Sequence, residues 1–204
     1  KTTKGSDPVI SRPEWVRHCA LTDAEVEKSW DAALTKAKAA FETYKSKVAK
    51  KDLVVVINYD TLVFNASGKG DQKDRMRLYD VGQDWKVVQR EWVSQAYKSG
   101  TDCATTFSNV SGSEISSKGA YVTFGSPYKS PRFGYPALKV KGLEKGVNDA
   151  AFSRFIIFHQ SIDRDRKIDY SEGCFMTRPE VNKALMPKIA GGRFVYVHTS
   201  APTK

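Results

Sequence analysis

The sequence predicts a mostly β domain of the α+β class behind an N-terminal helical segment. Short β-branched runs recur between residues 53 and 198, whereas the stretch before them has the apolar period of one long helix. Hydrophobic residues make up 40% and charged residues 27% of the 204 residues, which is typical of a chain with a packed core. We therefore predict two regions, a lead-in with an amphipathic helix at 1–50 and the β domain at 51–204.

A capping box marks the start of the N-terminal helix, after an irregular lead-in at residues 1–20. Thr22 is followed three residues later by Glu25, so each side chain can bond the backbone N–H of the other residue. The apolar residues that follow fall on one helical stripe: Val26, Trp30, Ala33, Leu34, Ala37, Phe41, Tyr44 and Val48. The stripe predicts a helix that packs on the following domain, and a coiled-coil partner surface is the alternative.

Short apolar runs predict the strands of the main domain. Residues 53–57 are β-branched and indicate a buried strand. Further strands are predicted at residues 76–81, 87–97, 120–124, 137–140, 154–158 and 193–198, with a turn at 82–84. The Ser- and Thr-rich segment 101–118 is predicted to be a long loop that is too polar for the core. A short helix is predicted at residues 179–189, ending at Gly191-Gly192.

Charge and apolar run length restrict the class of partner. The net charge of +10 favours a polyanionic partner, such as nucleic acid, anionic lipid or an acidic wall polymer. The densest basic set lies on the predicted helix and fits either a solvated face or a binding stripe: Lys36, Lys38, Lys45, Lys47, Lys50 and Lys51. No apolar run approaches the roughly 18 residues that a membrane-spanning helix needs. The chain starts at Lys1 without Met, as both a processed protein and a trimmed one would.

The three cysteines differ in their sequence context. No pair has the CxxC spacing of a structural zinc site, so we predict no metal and no cofactor. In a secreted protein an odd count indicates one disulfide and one free thiol. Cys19 and Cys103 are the natural pair because Cys174 stands in a different context, although two buried free thiols would also fit.

Catalytic chemistry is predicted for the stretch from His159 to Cys174. An apolar strand leads into His159, and Ser171-Glu-Gly-Cys174 follows a charged linker, residues 163–167, that should lie at the surface. A histidine beside a cysteine can take its proton and stabilise the thiolate, so we expect a depressed pKa for Cys174. Gly173 permits a tight turn that can point the N–H groups of Gly173 and Cys174 at a developing oxyanion. A lone cysteine is usually a small buried apolar residue. The prediction of a catalytic cysteine therefore depends on the combination of His159 with the Ser171-Glu-Gly-Cys174 motif.

The order of these residues resembles a known family. His159 followed by Ser171-Glu-Gly-Cys174 resembles the signature of the L,D-transpeptidase (YkuD-like) catalytic domain. Four further blocks resemble, in order, the murein L,D-transpeptidase-like branch of Gram-negative bacteria: residues 107–113, 116–123, 138–143 and 148–151. The resemblance spans about residues 53–199 and does not include the N-terminal helix.

The resemblance implies a fold, an activity and a location. It implies a β-sandwich catalytic domain in the periplasm or cell envelope, peripheral to the cell wall. It also implies cleavage after the third residue of a peptidoglycan tetrapeptide stem, through a thioester that passes to an acceptor amine. Cys174 would be the nucleophile, His159 the base and the backbone carbonyl of Gln160 the group that orients the imidazole. Gly173 and Cys174 would supply oxyanion N–H groups.

Substrate contacts are expected from five residues near these motifs: Ser171, Phe175, Arg178, Ser108 and Asn109. The chain departs from the family pattern at two positions. Gln160 stands where the family often has Gly, and Met176 stands where many members have Arg, which puts recognition of the substrate carboxylate in doubt.

Three other functions stay open at the level of sequence. An L,D-carboxypeptidase would share the acylation step and use water as the acceptor. A catalytically silent wall-binding protein would have no need for an intact Cys174 and His159. A nucleic-acid-binding module would need aromatic residues beside clustered Lys or Arg on one sheet face, and the sequence shows no convincing set. We therefore predict peptidoglycan stem peptides and no nucleic acid as partners, with the oligomeric state left open.

Overall fold

The computed structural model describes residues 19–20, 22–61, 75–100, 103–132, 134–161 and 171–201. The lead-in before residue 19 and the charged linker 163–167 lie outside these ranges. Helices α1 and α2 span Asp23–Tyr44 and Pro179–Ile189. The strands are β1 Lys50–Asn58, β2 Met76–Asp80, β3 Lys86–Glu91, β4 Gly119–Lys129, β5 Pro136–Gly142, β6 Ile157–Gln160, β7 Phe175–Thr177 and β8 Arg193–His198.

The predicted capping box and packing stripe of α1 are both present. The Thr22 hydroxyl accepts from the Glu25 N–H at 3.3 Å, and the Glu25 carboxylate accepts from the Thr22 N–H at 2.9 Å. The buried face of α1 consists of Val26, Trp30, Ala33, Ala37 and Phe41. This face packs on β1, β8 and β4, so the predicted packing of the helix on the β domain is confirmed.

The strands form one continuous mixed sheet in the order β3-β2-β1-β8-β4-β5-β6-β7. The β1–β8 and β6–β7 pairs are parallel, and the other five are antiparallel. Alternate residues of β1 enter different cores, Val54 and Val56 with α1, and Val55 and Ile57 with α2. Because successive side chains of a strand point to opposite faces, the two helices cover opposite faces of the sheet. The predicted mostly β, α+β fold class is confirmed. The two layers of the expected β-sandwich are parts of one continuous hydrogen-bonded sheet.

Several predicted strand boundaries are wrong. The strand predicted at 87–97 ends at Glu91, and residues 97–99 form a short 3-10 turn. The strand predicted at 154–158 begins only at Ile157, because Phe155 has a φ of 56° that breaks the extended chain. Strand β7, Phe175–Thr177, was not predicted, since three residues carry too little pattern.

The predicted loop contains no strand between residues 103 and 118, but the expectation that it is too polar for the core is wrong. Ala104, Phe107 and Ser116 are fully buried, and Ser117 is only 2% exposed. Hydrogen bonds offset the cost of burying the two serine hydroxyls. Ser116 Oγ accepts from the Ala96 N–H, and Ser117 Oγ accepts from the Tyr121 hydroxyl. A disulfide between Cys19 and Cys103 joins the loop to the start of the described chain, as the cysteine contexts predicted.

No helix within the described ranges is long and apolar enough to cross a membrane.

Candidate active site

Strands β6 and β7 bring Cys174 and His159 to one face of the sheet. The two strands are parallel neighbours, with Phe158 opposite Phe175 and His159 opposite Met176. Phe158 and Phe175 lie in the core. Because side chains alternate along extended chain, His159 of β6 and Cys174, the residue just before β7, project from the other face.

Two serine hydroxyls fix the turn that presents Cys174. Ser171 Oγ donates to the Cys174 carbonyl at 2.7 Å and accepts from the Gly173 N–H at 3.1 Å. Ser94 Oγ also donates to that carbonyl, at 3.3 Å, and accepts from the Met176 N–H at 3.0 Å. The backbone before and after Cys174 is therefore held from both sides.

Glycine is required at position 173. Its φ is +121°, and an added Cβ would lie 2.9 Å from Cδ1 of Ile156, so a side chain would be both strained and crowded. The same turn changes one sequence-based expectation. The Gly173 N–H was expected to face an oxyanion, but it donates to Ser171 Oγ, so that bond must break before Gly173 can serve as a donor.

The imidazole of His159 is held by the predicted backbone carbonyl. Nδ1 lies 2.8 Å from the Gln160 carbonyl oxygen, and the residue is only 3% exposed. A carbonyl can only accept, so Nδ1 carries the proton and Nε2 is the basic nitrogen. The Tyr135 ring stacks on the imidazole, with centroids 6.4 Å apart and planes at 17°. Burial lowers the pKa of His159, so the ring is neutral near pH 7.

The Cys174 thiol is protonated in this arrangement. Its Sγ donates to the Phe155 carbonyl at 3.6 Å. Burial raises the pKa of the thiol to about 11, although the backbone N–H of Ile157 acts in the opposite direction. The expectation of a depressed pKa is therefore wrong for the free protein, because burial exceeds the stabilisation of a thiolate. The resting pair is a neutral thiol and a neutral imidazole.

Cys174 lies in a cleft with a volume of about 440 Å³. The cleft carries both signs of charge, from Arg132 and Arg154 and from Glu114 and Glu172. A cavity of this size fits a short peptide or a drug-sized ligand. No group of three or more His, Cys, Asp or Glu side chains in the described part of the chain is arranged to hold a metal ion.

A family model for the L,D-transpeptidase catalytic domain matches residues 25–198. The chain belongs to this family. The match includes most of α1, which the resemblance in sequence motifs did not cover. No curated protein matches the chain.

Solved structures of L,D-transpeptidases from three bacteria resemble the chain at low identity. The enzyme from Stackebrandtia nassauensis is 14% identical, with 88% of this chain and 78% of that chain covered and a TM-score of 0.42. The enzyme from Mycobacterium smegmatis is 12% identical, with 72% and 59% covered and a TM-score of 0.39. The enzyme from Xylanimonas cellulosilytica is 15% identical, with 79% and 68% covered and a TM-score of 0.40.

In this L,D-transpeptidase domain, two of the residues expected to contact substrate lie in or beneath the strands. Phe175 is buried in the core against Tyr121 and Phe158, because it occupies the inward position of β7. Ser171 is also buried, and its hydroxyl is used in the turn before Cys174. Both support the site from below and do not line the cleft.

The other three expected substrate residues lie outside the cleft, in a loop and at the start of a helix. Asn109 Nδ2 donates to Asp149 at 2.7 Å, and its Oδ1 accepts from the Ala150 N–H at 3.1 Å. The Ser108 carbonyl accepts from Arg154 at 2.8 Å. Arg178 stands at the N-cap of α2. None of the three lines the cleft.

Sequence reasoning missed residues that the fold brings to Cys174. Arg154 and Phe155 line the cleft, and their place just before the histidine strand was a usable signal. Arg132, Tyr135 and Ser94 are distant from both motifs in the sequence, and only the strand order brings them close. Arg154 also orders the cleft wall, since its guanidinium donates to the Ile115 carbonyl at 2.7 Å.

Proposed function

We propose that this domain transfers peptidoglycan stem peptides through a thioester on Cys174. The donor is a tetrapeptide stem, the bond cleaved is the one after its third residue, and the acceptor is an amine. The observation that carries the proposal is that His159 of β6 and Cys174, just before the parallel strand β7, share one face of the sheet, with the thiol in the cleft. Membership of the L,D-transpeptidase family supports the same substrate class.

The chemistry starts from neutral groups. His159 Nε2 takes the thiol proton as the sulfur attacks the stem carbonyl, which gives a tetrahedral oxyanion and an imidazolium. The Gln160 carbonyl at 2.8 Å from Nδ1 stabilises that imidazolium. The C–N bond then breaks, the departing D-alanine amine receives the proton from Nε2, and the thioester remains on Cys174. The acceptor amine then loses a proton to His159 Nε2 as it attacks the thioester. The C–S bond breaks, and the departing sulfur takes the proton from the imidazolium, which restores the thiol.

Charge in the cleft suits a stem peptide, which carries both carboxylates and amines. Arg132 and Arg154 can attract carboxylates, while Glu114 and Glu172 can attract an amine. The net charge of +10 would also raise the local concentration of a wall polymer with free carboxylates. These features support the substrate class without selecting the acceptor.

The proposal includes a location in the cell envelope. The Cys19–Cys103 disulfide supports an oxidising compartment, such as the periplasm, because cytosolic thiols are kept reduced.

The test is mass spectrometry of products from disaccharide tetrapeptide with wild-type protein and with Cys174→Ala. Wild type should release D-alanine and, with a second stem present, form a cross-linked dimer. Cys174→Ala should do neither and should melt at the same temperature as wild type. Release of D-alanine without dimer would assign the carboxypeptidase reaction, and wild-type turnover by Cys174→Ala would exclude the thioester.

A further inference from the structure

An exposed aromatic and basic surface lies beside the cleft. Phe124, Phe152 and Phe155 are 43%, 40% and 76% exposed. Two lysines of β5 lie among the rings, with Lys141 Nζ 3.6 Å from the Phe124 centroid and Lys139 Nζ 5.8 Å from the Phe152 centroid. We call these five residues the aromatic platform. Clustered exposed aromatic side chains in a soluble domain commonly mark a ligand or partner site.

The platform and the thiol occupy one row across the sheet. Phe124 of β4 pairs with Lys139 of β5, and Lys139 pairs with Ile157 of β6. Since Phe158 pairs with Phe175, the next position in the row beside Ile157 is Cys174. Register partners share a sheet face and neighbouring strands are about 4.8 Å apart, so Phe124 lies about 14 Å from Cys174 along this row.

Phe155 joins the platform to the cleft, at a backbone position that favours glycine. The Ile156 N–H donates to Ala151 O, the Phe155 N–H donates to Phe152 O, and the φ of Phe155 is 56°. This is the pattern of a helical turn closed by a left-handed residue, which is usually Gly. A bulky exposed residue there is strained, and such strain tends to persist at functional sites. Phe155 also lines the cleft that holds Cys174.

We propose that the aromatic platform binds the N-acetylated sugar to which the stem peptide is attached. This inference rests on the proposed function. Aromatic rings offer flat apolar surfaces to the C–H faces of a pyranose, and the lysines can donate to hydroxyl, acetyl and carboxylate oxygens. Three extended residues between the acylated carbonyl and the sugar span about 10 Å, which is the two-strand distance from Cys174 to Lys139 at the near edge of the platform.

Aromatic residues beside lysines also bind single-stranded nucleic acid, and the sequence alone did not reveal this set. The structure assembles it from β4, β5 and the turn before β6. The common row with Cys174 favours a group that is covalently tied to the substrate. An oligonucleotide therefore enters the test as the competing ligand.

The experiment compares wild type with the double variant Phe124→Ala/Phe152→Ala on two substrates, disaccharide tetrapeptide and free tetrapeptide. The double variant should lose about tenfold in kcat/KM for the disaccharide substrate, because it loses aromatic stacking on the sugar. Its kcat/KM for free tetrapeptide should stay within about twofold of wild type. Phe124→Tyr/Phe152→Tyr, which keeps the rings, should restore the loss. Val88→Ala, an exposed apolar residue on β3 at the other end of the sheet, is the control.

Binding of an N-acetylglucosamine oligomer to the Cys174→Ala protein, followed by NMR, separates this inference from the proposed function. Perturbation of β4 and β5 resonances that the double variant abolishes supports the platform, even if no stem is turned over. Equal losses on both substrates, no loss on either, or salt-dependent binding of an oligonucleotide without sugar binding would each overturn it. Absence of turnover by wild type would count against the acyl transfer alone.

Discussion

In the proposed acyl transfer, the raised pKa of the Cys174 thiol means that the sulfur attacks as it gives its proton to His159, and does not start as a thiolate. Burial keeps the thiol and the imidazole neutral before substrate arrives. Proton transfer then has to accompany attack on the carbonyl. In the absence of substrate, the protonated thiol of Cys174 is protected against alkylation and oxidation, because the thiolate is the reactive form.

This state predicts slow alkylation of Cys174 near neutral pH. With a pKa of about 11 in place of about 8.5, the folded thiol holds about two orders of magnitude less thiolate at pH 8 than the unfolded chain does. We expect the iodoacetamide rate, read by peptide mapping, to keep rising up to pH 10. Urea-unfolded protein with its disulfide intact is the control and should level off above pH 9. A plateau below pH 7 in the folded protein would instead indicate a thiolate–imidazolium pair.

Among the elements, α1 depends on tertiary contacts for its stability, because isolated helices are marginal in water. Trp30 is 1% exposed and packs on the sheet. The Arg77 guanidinium lies 4.2 Å from the Trp30 ring centroid and pairs with Glu27 at 3.1 Å. The indole therefore links the helix to β2 as well as filling the core.

Removing this indole should destabilise the whole domain. We expect Trp30→Ala to lower the free energy of unfolding by about 3–5 kcal/mol, the usual cost of truncating a buried aromatic residue. Lys36→Ala, on the exposed side of the same helix, is the matched control and should stay within about 0.5 kcal/mol of wild type. Urea denaturation measures both. An unchanged midpoint for Trp30→Ala would contradict the packing of α1.

At the scale of the whole molecule, the sequence predicted those helices and strands whose ends or apolar runs are marked by the residues within them. The start of α1 follows from Thr22 and Glu25, and the strand 193–198 and the helix 179–189 match their sequence runs residue for residue. Cys174 and His159 could be singled out as the candidate pair because their residue types and their order together are rare.

The other features of the fold and of the site depend on strand register, which cannot be read from any short stretch of the sequence. Whether Phe175 faces the cleft or the core is decided by its pairing with Phe158 across β6 and β7. The aromatic platform needs Phe124 to pair with Lys139, residues that lie on different strands. The pKa of Cys174 likewise depends on how much protein surrounds it, which is a property of the assembled fold.

The turn after β1 and the end of β8 are joined through the buried carboxylate of Asp60, which makes stability depend on pH. His198 Nε2 lies 3.4 Å from Asp60 Oδ2, and Asp60 also accepts from the Thr199 hydroxyl at 3.0 Å and the Ser200 N–H at 2.9 Å. Burial alone would raise the pKa of Asp60, but the bonds from His198 and Ser200 outweigh it and lower the pKa. The carboxylate therefore favours the folded state.

A depressed pKa in the folded state contributes stability that is complete above the unfolded pKa of about 3.9 and is lost as pH falls through the folded value. We expect the urea midpoint of wild type to fall on acidification below pH 4 more steeply than that of Asp60→Asn, which has no carboxyl to protonate. Asp60→Asn should be less stable at pH 7, because it leaves His198 without its anionic partner. Asp31→Asn, on the exposed side of α1, is the control and should follow the wild-type acid profile. Parallel profiles for wild type and Asp60→Asn would show that other carboxyls govern acid unfolding and that this pair does not stabilise the fold.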